Sequence, residues 1–97
     1  MSQSTPAYDY IRDYTLPTIH LNGTGAQTLA NEYEAFWRAL DKAAEALQNA
    51  TCNARDFYPQ EPGAYERARK EREEAFSKLE ELQAYAEAWM ERASAHL

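Results

Sequence analysis

Two largely apolar stripes spaced alternately by three and four positions, joined by one aromatic segment bounded by prolines, constrain this chain more than any other feature. The first run is Leu29, Tyr33, Phe36, Leu40, Ala43, Leu47 and Ala50; the second is Tyr65, Ala68, Arg72, Ala75, Leu79, Leu82, Ala86, Trp89 and Ala93. Such spacing places each set on one face of an α-helix. Two long amphipathic helices with a short connection fold back on each other as an antiparallel hairpin. The expected fold is therefore all-α: a long antiparallel helical hairpin with an N-terminal arm over residues 1–23. The helices are expected over about 24–51 and 62–96, with a loop at 52–61.

A hairpin of this kind is a ribbon, and one partner helix covers only part of each apolar face. Phe36 beside Trp37, Ala75 beside Phe76 and Trp89 beside Met90 widen the stripes further. With 97 residues to order, a small core offsets the entropy of folding poorly. The pattern predicts a helical-bundle homo-oligomer, most simply a four-helix dimer. The competing arrangement is a monomer with the arm as a third helix. Tyr8, Tyr10, Tyr14, Leu16, Ile19 and Leu21 make residues 8–21 a segment that packs on something, broken by Pro17. Residues 1–7 are small and polar and are expected to fray.

The local punctuation agrees with these bounds. Thr24 followed by Gln27 reads as a capping box, after the turn Leu21-Asn22-Gly23. Pro62 suits the first position of the second helix, with Glu61 as its cap.

Charge excludes some functions. A formal net charge of -6 and a pI near 4.8 argue against general nucleic-acid binding, which needs a basic face. No stretch reaches the roughly 18 apolar residues of a transmembrane helix, and residues 1–7 lack the parts of a signal peptide. The single cysteine, Cys52, fits a reducing cytoplasm. The sequons at Asn22 and Asn49 read as turn and cap residues in that setting.

Three clusters carry candidate chemistry. Arg55-Asp56-Phe57-Tyr58-Pro59-Gln60 places a cation, two rings and an amide on a stiff turn, suited to stacking on a flat ring and to forked bonds with a phosphate. The alternative is that Phe57 and Tyr58 plug the end of the hairpin. Arg67, Arg69, Lys70 and Arg72 form the basic cluster, mostly a solvated face paired with glutamates. Arg72 falls in the apolar stripe, so it must snorkel outward, pair with a buried carboxylate or face an anion. His20, Asn22 and Thr24, at the start of the first helix, offer an anion seat or an ordinary capped turn. The first and third clusters lie at opposite ends of a helix about 40 Å long. They meet only across two hairpins, or if the arm runs back along its own.

Catalytic signatures are lacking. His20 and His96 have no metal-ligand spacing, no paired cysteines exist, and Cys52 has no neighbouring base. The expectation is a protein that is not an enzyme and has no cofactor. The segments Thr18-Ile19-His20-Leu21-Asn22-Gly23-Thr24 and Asn53-Ala54-Arg55-Asp56-Phe57-Tyr58-Pro59-Gln60 resemble those of a family of small phage and prophage proteins, over roughly residues 17 to 90. The resemblance imports no activity. It implies a virion accessory or a counter-defence factor in the host cytoplasm, a setting in which compact helical oligomers sequester nucleotide immune signals. The expected partners are thus a second copy and a nucleotide-like small molecule in an intersubunit pocket. The alternative is a host defence protein or phage protein gripped by the helix faces.

Overall fold

The computed structural model describes residues 13–97. The expectations for residues 1–7 and for Tyr8 and Tyr10 lie outside the described residues. Helix α1 spans Ala26–Asn49, a 3-10 turn spans Ala54–Phe57, and helix α2 spans Ala64–Ser94. The two helices pack antiparallel, so the all-α hairpin expected from the stripes is the fold.

Both helix starts differ from the expected caps. The N-cap of α1 is Gly25 in extended backbone, with no side-chain cap bond. The Gln27 amide donates to the Asn31 carboxamide one turn ahead, at 2.9 Å, rather than reaching back to Thr24. At α2 the cap is Gly63, two residues past the expected start, at φ 95. That left-handed conformation suits a residue without Cβ. The chain turns sharply there, and Pro62 lies in the turn instead of in the helix. The Glu61 carboxylate then pairs with Arg67 across the turn. Its own backbone N–H, and next the Arg67 guanidinium, hold that carboxyl below its ordinary value.

The interior is small. Among the described residues Ala26, Leu29, Leu40, Ala64, Ala86 and Ala93 are the buried apolar ones, and no large side chain is fully buried. Ala86 and Ala93, 0% and 1% exposed, let the helix backbones approach closely. Around them the hairpin has two flanks. On one, the Trp37 indole N–H donates to Glu87 at 2.8 Å and the Gln83 amide donates to the Trp37 carbonyl at 3.3 Å. On the other, Tyr33 stacks on Trp89 with centroids 4.5 Å apart and planes within 8°, and Tyr85 meets Tyr33 edge-on.

The arm covers the second flank at the open end of the hairpin. Tyr14 packs edge-on against Tyr85 at 5.3 Å, and the Arg92 guanidinium donates to the Pro17 carbonyl at 2.8 Å. From Pro17 back to Tyr14 the chain therefore runs toward the middle of the hairpin, and residues 13–20 form no helix.

The face of α1 is rotated from the expected stripe. Trp37 and Ala44 are half-buried, whereas Phe36, Ala43 and Ala50 are exposed. On α2 the stripe holds except at Leu82, which is 44% exposed. The molecule measures 62 × 34 × 16 Å with a radius of gyration of 18.4 Å, against about 13 Å for a compact chain of this length. Such an extended shape suits packing against a second chain.

The Tyr33 phenol gives the fold a pH signature. Burial beneath its neighbours, then the Tyr85 hydroxyl and the Glu32 carboxylate, raise it above its ordinary value of 10.0. A raised acid stays neutral in the folded chain while the unfolded chain ionises. Its contribution is fully present below pH 10 and is lost as pH rises through the higher folded value. Denaturant unfolding from pH 8 to 11 should show stability falling above about pH 10, with a shallower fall in Tyr33→Phe.

Candidate functional site

The connection is more ordered than a plain loop. The Asn53 side chain accepts from the Arg55 amide at 3.1 Å and caps the 3-10 turn. Backbone bonds from Asp56 to Asn53, Tyr58 to Arg55 and Gln60 to Phe57 continue the winding. This places Phe57 inward and Tyr58 outward. Phe57 is half-buried against the Tyr65 ring, with centroids 5.9 Å apart. Tyr58 is 74% exposed, so only one of the two rings plugs the hairpin end. Arg55 and Gln60 are exposed, and the Arg55 guanidinium makes no ion pair among the described residues.

Arg69 extends this surface along α2. It grips both Glu66 oxygens at 3.1 and 3.2 Å, with its guanidinium carbon 5.9 Å from the Tyr65 ring centre. Phe57, Tyr65 and Arg69 are thus in contact one after another. Tyr65 was not among the residues expected here. Its spacing of four from Arg69 was the available signal, since such pairs share a helix face.

Arg72 follows none of the three paths expected for it. Its guanidinium donates to the Leu47 carbonyl at 2.7 Å and the Gln48 carbonyl at 3.0 Å, and lies 5.6 Å from the centre of the Phe76 ring. The last carbonyls of a helix have no partners within it. A cation there satisfies them and complements the negative end of the helix dipole. Arg72 is therefore a cap supplied to α1 by α2. Arg72→Ala should lower stability by about 1.5–3 kcal/mol, as for hydrogen bonds from a charged group, read by urea unfolding.

His20, Asn22 and Thr24 lie at the other end of α1, all exposed. The Gly23 amide donates to the His20 carbonyl at 3.1 Å, closing a turn, and the His20 ring lies over Gly23 so closely that a Cβ there would sit 2.9 Å from the imidazole. The 24 residues of α1 put about 36 Å between this turn and the connection. Phe57 and Arg69 each meet the Tyr65 ring, Arg55, Tyr58 and Gln60 are exposed on the connection, Arg72 is engaged one turn along α2, and the three helix-start residues are apart from all of these.

Among the described residues no group of His, Cys, Asp and Glu has the arrangement of a metal site, and no helix is long and apolar enough to cross a membrane. No protein-family model, no curated protein and no solved structure matches the chain.

Proposed function

We propose that the chain is a phage-encoded, non-enzymatic counter-defence protein that binds and sequesters a small anionic, nucleotide-like ligand in an intersubunit pocket. The observation that carries this reading is the capped 3-10 turn, on which Arg55, without an ion pair among the described residues, and the exposed Tyr58 ring share one short connection with Phe57, itself packed on Tyr65. A guanidinium takes a phosphate by forked, charge-assisted bonds, and an exposed ring on a stiff support takes a base by stacking. His20, Asn22 and Thr24 of a neighbouring copy supply the polar contacts, and the phage setting follows from the two resembling segments.

Titration calorimetry against cyclic dinucleotides, cyclic trinucleotides and ADP-ribose derivatives tests it. Heat is expected with at least one class, and Arg55→Ala should weaken that binding about 10- to 100-fold, the loss of one charged contact worth about 1.5–3 kcal/mol. No heat with any of them sinks the reading.

A second reading has its own support. Arg69 and Arg72 are engaged within the chain, the net charge is -6, and Phe36 and Leu82 stand exposed. These suit an inhibitor or adaptor that grips a host or phage protein through its helix faces. Pull-down of one stoichiometric polypeptide, by a protein that takes no nucleotide, would favour it.

A further inference from the structure

The arm is seated on the hairpin as a separate peptide would be. Tyr14, Leu16, Pro17 and Ile19 are half-buried, whereas Asp13, Thr15, Thr18 and His20 are exposed. One set of side chains thus meets the helices and the other meets solvent. The arm adds nothing to the buried interior, whose apolar residues among the described ones all belong to α1 and α2. Residues 20–25, which join it to α1, are all exposed, and their turn is closed by the bond from the Gly23 amide to the His20 carbonyl.

Two fixed points set the register of this docking. The Tyr14 ring meets Tyr85 edge-on, and the Pro17 carbonyl accepts from Arg92. Tyr85, Trp89 and Arg92 follow the four-then-three spacing of a single helix face. From Tyr85 to Arg92 the helix rises about 10.5 Å, and three residues of chain, from Tyr14 to Pro17, span about 10 Å at full reach. The arm therefore runs parallel to α2, with its two anchors in step with those of the helix. One anchor is a ring and the other a main-chain carbonyl, so the stretch selects a tyrosine followed three positions later by an acceptor. Pro17 fixes its own φ and disfavours helical backbone at Leu16, which lowers the entropy cost of seating the segment. Between the anchors along α2, the Trp89 indole N–H is buried without an acceptor among the described residues. A segment that brings an acceptor to it makes a bond the arm lacks.

We infer that the stretch of α2 from Tyr85 to Arg92 is a binding site for a peptide carrying tyrosine three residues before proline, and that the arm is its resident occupant. The arm is then an autoinhibitory strap: a free segment of the same chemistry must displace it to bind. This site shares no residue with the ligand reading above and does not depend on it.

The probe is the separate peptide Asp13-Tyr14-Thr15-Leu16-Pro17-Thr18-Ile19, titrated by NMR into the isotope-labelled full chain and its Tyr14→Ala variant. The chain has two tryptophans, and their indole N–H signals report opposite flanks. Trp89 packs on the Tyr85 ring that Tyr14 covers, and Trp37 bonds to Glu87 on the far side. In Tyr14→Ala the resident arm has lost its ring, and the peptide should move the Trp89 signal while leaving that of Trp37. The wild type should need roughly tenfold more peptide, because a tethered arm competes at about millimolar effective concentration. Adding Arg92→Ala to the variant should weaken the peptide about 10- to 100-fold, through loss of a charged hydrogen bond. A peptide with alanine in place of its tyrosine should leave both signals unmoved. The proposal is overturned if the Trp89 signal stays in place in Tyr14→Ala, if wild type and variant titrate alike, or if either alanine change has no effect. Should Tyr14→Ala lose its helical spectrum, the wild type decides: peptide well above about millimolar concentration must move the Trp89 signal, and no movement overturns the proposal.

Discussion

Trp89→Ala is expected to lower stability by about 3–5 kcal/mol, the range for removing a large aromatic from a packed site. Trp89 lies flat on Tyr33, is tilted against Tyr85, and so joins α1, α2 and the ring on which Tyr14 rests. Its loss opens a cavity between the two helices and removes support for the Tyr85 ring on which Tyr14 rests. Trp89→Phe should cost far less. The indole N–H is buried without an acceptor among the described residues, so phenylalanine keeps much of the ring contact and removes a desolvated donor. Urea unfolding of the two variants, with tryptic release of the arm as a second reading, checks both statements. Equal losses would mean that ring area is not what matters at this position.

Leu40→Ala is expected to cost about 2–5 kcal/mol, and Phe36→Ala much less in chemical denaturation of the isolated hairpin state. Leu40 is 7% exposed and Phe36 is 37% exposed, although both belong to the same apolar stripe in the sequence. If the exposed Phe36 ring packs on a second copy, Phe36→Ala reveals itself through concentration dependence: its loss of stability should grow as protein concentration rises, because an oligomer is stabilised by mass action. Leu40→Ala should show nearly the same loss at every concentration. A large, concentration-independent loss at Phe36 would place that ring in the hairpin interior after all.

Those two residues also show what was legible. The period of the stripes reports that a helix is amphipathic, and it gave the two helices and their antiparallel pairing. It does not say how an apolar arc wider than one partner divides between that partner and another. Phe36 and Trp37 are adjacent and both apolar, and the polar ties from Trp37 to Glu87 and Gln83 decide which one turns inward. Those ties join residues 46 and 50 positions apart, a separation at which local pattern is silent.

The site divides in the same way. Asn53 through Gln60 is a local unit, and its capped turn follows from side chains two or three residues apart. The clustering of Arg55, Phe57 and Tyr58 was therefore readable. The role of Arg72 was not, because its partners are backbone carbonyls 24 and 25 residues away, and a carbonyl leaves no trace in a side-chain pattern. The starts of both helices were misplaced for a related reason. Gly25 and Gly63 take the cap positions by backbone conformation, and the polar residues that precede them are spent on other bonds or left to solvent.

Thinness links structure to function in this chain. Its few buried residues are mostly alanines, and the proposed recognition groups lie at two ends that one hairpin cannot bring together. In the proposed function a second copy supplies the other half of the pocket. Native mass spectrometry of protein purified gently from infected cells tests this most directly. The account predicts a dimer, or a multiple of it, carrying a reproducible excess mass in the range of a nucleotide that Arg55→Ala loses while the assembly persists. A bare monomer, or a chain that retains only a host polypeptide, would contradict it.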